Sequence, residues 1–305
     1  MSISSHSRQS GMILVSVLWV VAGLSLLVST FNQSVRTNGA VTRTELALAQ
    51  VEAMTMAGVE LAAAGLLIQG DGRWQPDGRL YTAKFSGADL TIQIFDANGF
   101  VDLNLAKDEL MLAVFSGVTE APGLASQLVG HILRKRQEAK ANVARTDRQA
   151  LEIRGNDPVA ERPAFRDVWE LSQVPGINHE QLARLRAVVT VHGRAAGINP
   201  RTATAGILRF VPGLTSTDLE RLMASRSANG AAERVAADLP EAARALLSDQ
   251  EGPAYLVKVT VRTPGLPAPF VQSVEILIAS NLNGAKDRKI TGAPYHVLTR
   301  HPRGT

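Results

Sequence analysis

The residues able to do bond chemistry are few, and their spacing is wrong for it. The six histidines are scattered, and none stands in the His-Glu-x-x-His spacing that places two imidazoles on one helix face for zinc. There is no Gly-x-Ser-x-Gly elbow to expose a nucleophilic serine. There is no cysteine, which removes thiolate nucleophiles, disulfides and Cys-ligated zinc together. The stretch GDGRWQPDG, Gly70 to Gly78, is glycine-rich but lacks the Gly-Lys-Ser/Thr that would cradle and charge-pair a phosphate. The sequence therefore reads as non-enzymatic. Two other patterns remain. VPGINHEQLARL from Val174 and VPGLTSTDLERL from Val211 are an internal repeat. In each, Pro175-Gly176 or Pro212-Gly213 makes a tight turn, and Asn178 or Thr215 caps the helix that follows. Gln181 or Asp218, three residues on, completes a capping-box arrangement, with Ile177/Leu182 and Leu214/Leu219 at staple positions. These are helix-hairpin-helix turns, whose amides can hold a DNA phosphate. Arg184, Arg186, Arg221, Arg226 and the basic run His131–Lys140 lie nearby, but Glu180, Asp218, Glu220 and Glu233 share the surface. A solvated mixed-charge face accounts for that pattern, and nucleic acid is not the expected partner.

The second pattern is a peptide bond rather than a side chain. Gly11 stands directly before Met12–Phe31, twenty residues without a charge. As a helix that run spans roughly 30 Å, the thickness of a bilayer's hydrocarbon. A cleavable secretion signal has a shorter apolar region and a small-x-small site after it. Val28-Ser29-Thr30-Phe31-Asn32 is a poor site of that kind, so the run reads as a retained anchor. Arg8 precedes it and Arg36 and Arg43 follow, so the basic residues alone leave its orientation open.

The elements around these patterns form an order. Ala47, Val51, Met54, Gly58, Leu61, Gly65 and Ile68 alternate at spacings of three and four, the mark of an amphipathic helix. Gly70-Asp71-Gly72 ends it. Met12 to about Ile68 is then one helix of roughly 85 Å, the first half in lipid and the second packed on a globular body. Arg79–Phe85 and Asp89–Asp96 read as strands, with a turn at Asn98-Gly99, and Tyr255–Arg262 and Phe270–Ser280 read as a hairpin. Between them, Ala106 to about Ser248 is rich in Ala, Leu and Arg and helical. Isolated hairpins are marginal, so one sheet interrupted by a helical insertion is preferred over two small domains. With 45% apolar residues in 305 the chain can build a core, and its +4 charge tolerates anionic surfaces without requiring nucleic acid. Residues 284–305 carry Gly, Pro and basic residues without period, and are expected to be disordered.

A short polar leader ending in Gly, an apolar mature start and a long half-buried helix together resemble the class III signal of type IV pilins and type II secretion pseudopilins. Three further segments narrow the resemblance to the minor pseudopilin K family: FDANGFVDLNLA (Phe95–Ala106), PAFRDVWELSQVPGI (Pro163–Ile177) and VTVHGRAAGINPRTAT (Val189–Thr204). The fifth residue after Gly11 is Ser16, where most pilins carry Glu; the K subunit commonly lacks that Glu. The resemblance implies cleavage between Gly11 and Met12 by a prepilin peptidase, and methylation at Met12. It implies an α+β fold, with a pilin-like long N-terminal helix packed on a small antiparallel sheet and a large all-α (SAM-like, helix-hairpin-helix) insertion. The divisions follow: leader 1–11, transmembrane half 12–31, pilin-like parts 32–105 and 251–283, insertion 106–250, tail 284–305. It implies a structural subunit at the tip of a type II secretion pseudopilus, held in the bacterial inner membrane with its body in the periplasm. The partners would be the I, J and H minor pseudopilins and the major pseudopilin. No cofactor is expected. Calcium, which stabilises some pseudopilins, stays open: no spaced acidic loop stands here, Asp238, Glu241, Asp249 and Glu251 near the end of the insertion could contribute, and no ligand set is assigned. The alternative is a membrane-anchored pilin-like DNA-binding protein that uses the hairpin repeat.

Overall fold

One helix accounts for almost a fifth of the chain. In the computed structural model, which describes residues 9–153, 163–226, 235–264, 268–278 and 294–301, helix α1 runs without a break from Gln9 to Leu67. No proline interrupts it, and Gly70, at φ +79°, turns the chain into a single 3-10 turn at Gly70–Gly72. Leu14–Phe31 is fully exposed, with a mean hydropathy of 2.2. The half from about Val51 onward is buried on one side against a sheet.

That sheet has five antiparallel strands: β1 (Asp77–Phe85), β2 (Ala88–Asp96), β5 (Ala254–Arg262), β6 (Phe270–Ile278) and β7 (Tyr295–His301), in that spatial order. The joined-sheet expectation is met by the β2–β5 ladder, where Leu90 faces Val261, Ile92 faces Val259 and Ile94 faces Val257. Alternation sets which side is dry. Leu90, Ile92, Ile94, Val257, Val259, Val261, Val274 and Ile276 all point at α1 and are buried. Gly58 and Gly65 permit the close approach: a Cβ on Gly58 would sit 2.7 Å from Val259, and one on Gly65 would sit 2.4 Å from the Trp74 ring. Trp74 in turn stacks on Tyr81 of β1, with ring centroids 4.1 Å apart.

Two expectations are corrected here. Leu61 and Ile68 are exposed, while Thr55, Val59, Ala62 and Leu66 are buried. The 3.5-residue spacing read from the sequence drifts about 20° per heptad on a straight 3.6-residue helix. By the second heptad the buried face has rotated onto Ala62 and Leu66. The tail is also not wholly irregular. Tyr295–His301 is an edge strand on β6, with Tyr295 donating to Glu60 (2.8 Å) and Arg300 bonded to Glu52 (2.8 Å), both on α1. Pro and Gly on either side hid a seven-residue strand, and an edge strand tolerates such neighbours. Residues 284–293 and 302–305 lie outside the described residues.

The helical body enters between β2 and β5. It holds β3 (Val101–Asp102), α2 (Asp108–Thr119), α3 (Pro122–Ile153), α4 (His179–Arg186), β4 (Val189–Thr190), α5 (Ala205–Leu208) and α6 (Ser216–Ser225), with a last one-turn helix at Glu241–Arg244. β3 and β4 pair in parallel as a two-residue ladder. The body has its own core, in which Leu110, Val114, Phe115, Leu128, Ile132, Phe165 and Leu185 are buried.

Candidate functional site

Three places could carry function: the apolar half of α1, the two Pro-Gly turns, and the seam where the helical body leaves the sheet. Gly11 and Met12 lie in the first turns of α1, and residues 1–8 of the leader lie outside the described residues. From Leu14 to Phe31 every side chain is exposed, including Trp19 and Phe31. The helix satisfies its own polar groups there. Ser25 donates to the Val21 carbonyl (2.8 Å) and Thr30 to the Leu27 carbonyl (2.9 Å). A segment surrounded by lipid must do this, because no water can. A Cβ added at Gly23 meets nothing within 4 Å, so this glycine serves no packing within the chain.

The hairpin turns are formed as the spacing predicts. Gly176 (φ +88°) and Gly213 (φ +82°) take the left-handed conformation that glycine adopts without strain. Asn178 accepts from the Gln181 amide (2.8 Å), and Gln181 accepts from the Asn178 amide (3.1 Å). Thr215 and Asp218 make the same reciprocal pair at 3.2 and 3.1 Å. Pro175 and Pro212 are exposed, and both turns sit on the helical body. The first lies over Leu124 of α3 and the second over Ala243. The turns therefore do not converge with Gly11 and Met12 on one site. The helix before each turn is shorter than the repeat suggests: a 3-10 turn at Val168–Gln173 in one case and the four residues of α5 in the other. The capping boxes matter for anion binding. They occupy N-terminal amides of α4 and α6 that a phosphate would need, and Glu180 and Asp218 place carboxylates in the same first turns. Arg184 is engaged by Glu180 (2.7 Å) and Glu120 (3.0 Å).

The seam is the part that the sequence left unassigned. Asp96, at the end of β2, is buried and accepts from the Asn98 amide (2.9 Å), the Gly252 amide (3.0 Å) and the Thr202 hydroxyl (3.1 Å). Asn98 donates to the Gln250 carbonyl (2.9 Å) and accepts from the Arg194 amide (2.7 Å). Asn104 grips Phe165 through its amide (2.8 Å) and carbonyl (3.1 Å). One carboxylate and two amides thus tie β2, the loop after β4 and the approach to β5 together. Asp102 accepts from the Asn104 amide (2.6 Å), while its other oxygen is buried beside Gly193. Burial pushes both Asp96 and Asp102 up to about 6, against the pull of the amides that donate to them. Across the seam His192 meets Glu275 of β6 at 3.1 Å. The signal in the sequence was the density of Asp and Asn in FDANGFVDLN, too polar for a buried stretch unless every side chain has a partner.

Among the described residues no three carboxylate or imidazole groups gather as a metal site. Of the four acidic residues considered for calcium, Glu251 is engaged by Arg73 and by the Tyr255 hydroxyl (2.7 Å), while Asp238, Glu241 and Asp249 are exposed; the four do not form a ligand set.

No family model and no curated protein matches the sequence. The three-dimensional arrangement does have a solved neighbour. It is similar to a chain in the crystal structure of the GspK-GspI-GspJ complex from the enterotoxigenic Escherichia coli type 2 secretion system. The TM-score is 0.52 at 14% identity, over 87% of this chain and 99% of that one. The fold is that of the GspK pseudopilin. At this identity the likeness speaks for architecture alone: the sheet-packed N-terminal helix and the helical body inserted within the sheet.

Proposed function

We propose that this chain is a non-enzymatic minor pseudopilin of the K type, set at the tip of a type II secretion pseudopilus. One observation carries the reading. A single unbroken helix is bare and apolar over Leu14–Phe31 and becomes the core helix of a pilin-like sheet beyond Val51. Such a helix has one half to insert in lipid or among neighbouring helices and one half to hold a body outside. Prepilin peptidase would cut between Gly11 and Met12 and leave a methylated Met12. The anchor would wait in the inner membrane with the body in the periplasm. The helical body, inserted between β2 and β5, adds bulk to the pilin-like sheet, which suits a subunit with nothing stacked above it. Partners would be the I, J and H minor subunits and the major pseudopilin; the neighbour's structure, a complex of GspK with GspI and GspJ, supports the I and J part of that choice.

Gly23 provides the test. Ala22, Gly23 and Ser25 are small residues in the anchor, and Gly23 in particular allows another helix close. Because nothing in the chain touches Gly23, Gly23→Leu leaves the folded body intact and obstructs only a neighbouring helix. Co-purification of the I and J subunits from membranes should fall by roughly tenfold, about 1.4 kcal/mol. Undiminished recovery of both would contradict the proposed assembly.

A further inference from the structure

The sheet face opposite α1 is not wholly open to solvent. Leu256 of β5 and Ser273 and Glu275 of β6 form the floor of a cleft of about 500 Å³, walled by α4 and by Trp169. That volume lies within the range of ligand sites. Leu182 of α4 and Phe100 give it apolar sides.

An arginine at its wall is stacked on an aromatic ring. The Arg186 guanidinium lies 3.9 Å over the ring of Trp169, which is itself 37% exposed at the cleft. Stacking fixes the guanidinium plane and leaves its N–H edge free to donate. Three other arginines of the helical body spend those donors. Arg136 caps the Leu103 and Ala106 carbonyls (both 2.8 Å), Arg226 bonds the Pro200 carbonyl (2.7 Å), and Arg184 is ion-paired. Among the described residues Arg186 has neither a carboxylate nor a carbonyl partner. Among the described residues one carboxylate lines the cleft, Glu275, and it is engaged by His192. The cleft thus presents an oriented, unneutralised bidentate donor beside an exposed indole and an apolar wall. Trp and Arg are the residues that most often dominate protein–protein contacts when they sit together in a partly dry pocket.

We propose that this cleft docks a peptide segment of a partner protein in which an Asp or Glu stands next to an aromatic or aliphatic side chain. The carboxylate takes the N–H edge of Arg186 in a bidentate pair, and the apolar side chain lies on Trp169, Leu182 and Leu256. The charge complementarity selects an acidic segment, and the open side of the cleft admits a main chain. The site is built from the sheet and the helical body together and does not depend on the anchor or on the tip assignment.

The test uses the full chain in lipid nanodiscs against a phage library of random seven-residue peptides, with empty nanodiscs as control. The expected result is enrichment of clones carrying Asp or Glu beside an apolar residue. A synthetic peptide made from such a clone should bind at least about tenfold more weakly to Arg186→Gln, equivalent to about 1.4 kcal/mol. The same loss should follow when the peptide's acid is changed to its amide, a change that leaves the protein untouched and so separates recognition from folding. No enrichment, clones without an acid, or binding indifferent to Arg186→Gln would overturn the proposal. So would Arg186-dependent self-association of the chain without peptide binding, which would make a second copy the occupant.

Discussion

Asp96 joins three stretches of chain far apart in sequence, and its chemistry sets a pH dependence. Burial raises its folded-state pKa, and that of Asp102, to about 6. Both exceed the value of an exposed aspartate, about 3.9. The native state therefore holds protons that the unfolded chain has released. Stability from this source is full below about pH 4 and is lost as the pH rises through about 6. A shift of about two units corresponds to roughly 3 kcal/mol per group as an upper figure. The melting temperature of the body should fall between pH 5 and pH 8, and the fall should shrink in the Asp96→Asn, Asp102→Asn double variant. A flat profile in the parent protein would contradict the assignment. Asp96→Ala should cost more than the pH effect, about 2–4 kcal/mol, because it strands the amides of Asn98 and Gly252 and the Thr202 hydroxyl. None of this was readable in the sequence as a seam. FDANGFVDLN shows that a polar cluster exists, but Thr202, Gln250 and Gly252 join it only through the fold.

At the scale of elements, α1 carries a contrast between two of its glycines. Gly23 faces open space, whereas Gly58 faces Val259 with no room for a Cβ. Gly58→Leu should therefore lower the stability of the body by about 3 kcal/mol or more, read as a shift in thermal unfolding, since overpacking a tight contact forces backbone to move. Gly23→Leu should leave that transition in place. The hairpins were legible down to single residues, because a capping box is a local device: Asn178 with Gln181 and Thr215 with Asp218 need only each other. Their capped amides lead to another expectation. Binding of duplex DNA at low salt, measured by fluorescence anisotropy, should be no tighter than that of a general basic protein, and Gly176→Ala with Gly213→Ala should leave its salt dependence unchanged. Hairpin-dependent nanomolar binding would favour the DNA alternative. The buried stripe of α1 was less legible. Three-and-four spacing fits both a 3.5 and a 3.6 repeat over two turns, and only the longer helix separates Leu61 from Ala62.

For the whole molecule, the architecture followed from one energetic argument: two isolated hairpins could not stand alone, so β2 had to find β5 across the helical body. β7 escaped because an edge strand needs a partner on one side only, and seven residues without a clean alternation between Pro/Gly-rich flanks carry a weak signal. The long helix, bare over Leu14–Phe31 and buried on one side beyond Val51, fits the two tasks proposed for it, insertion and display. The proposal that it works as a processed pseudopilin rests on whether the cell treats Gly11-Met12 as a cleavage site. The most direct measurement is the mass of the N-terminal peptide of the full chain produced with and without prepilin peptidase. A chain beginning at methylated Met12, seen only when the peptidase is present, is the result expected. An intact leader in both cells would contradict the account and leave an ordinary uncleaved anchor beneath a pseudopilin-like body.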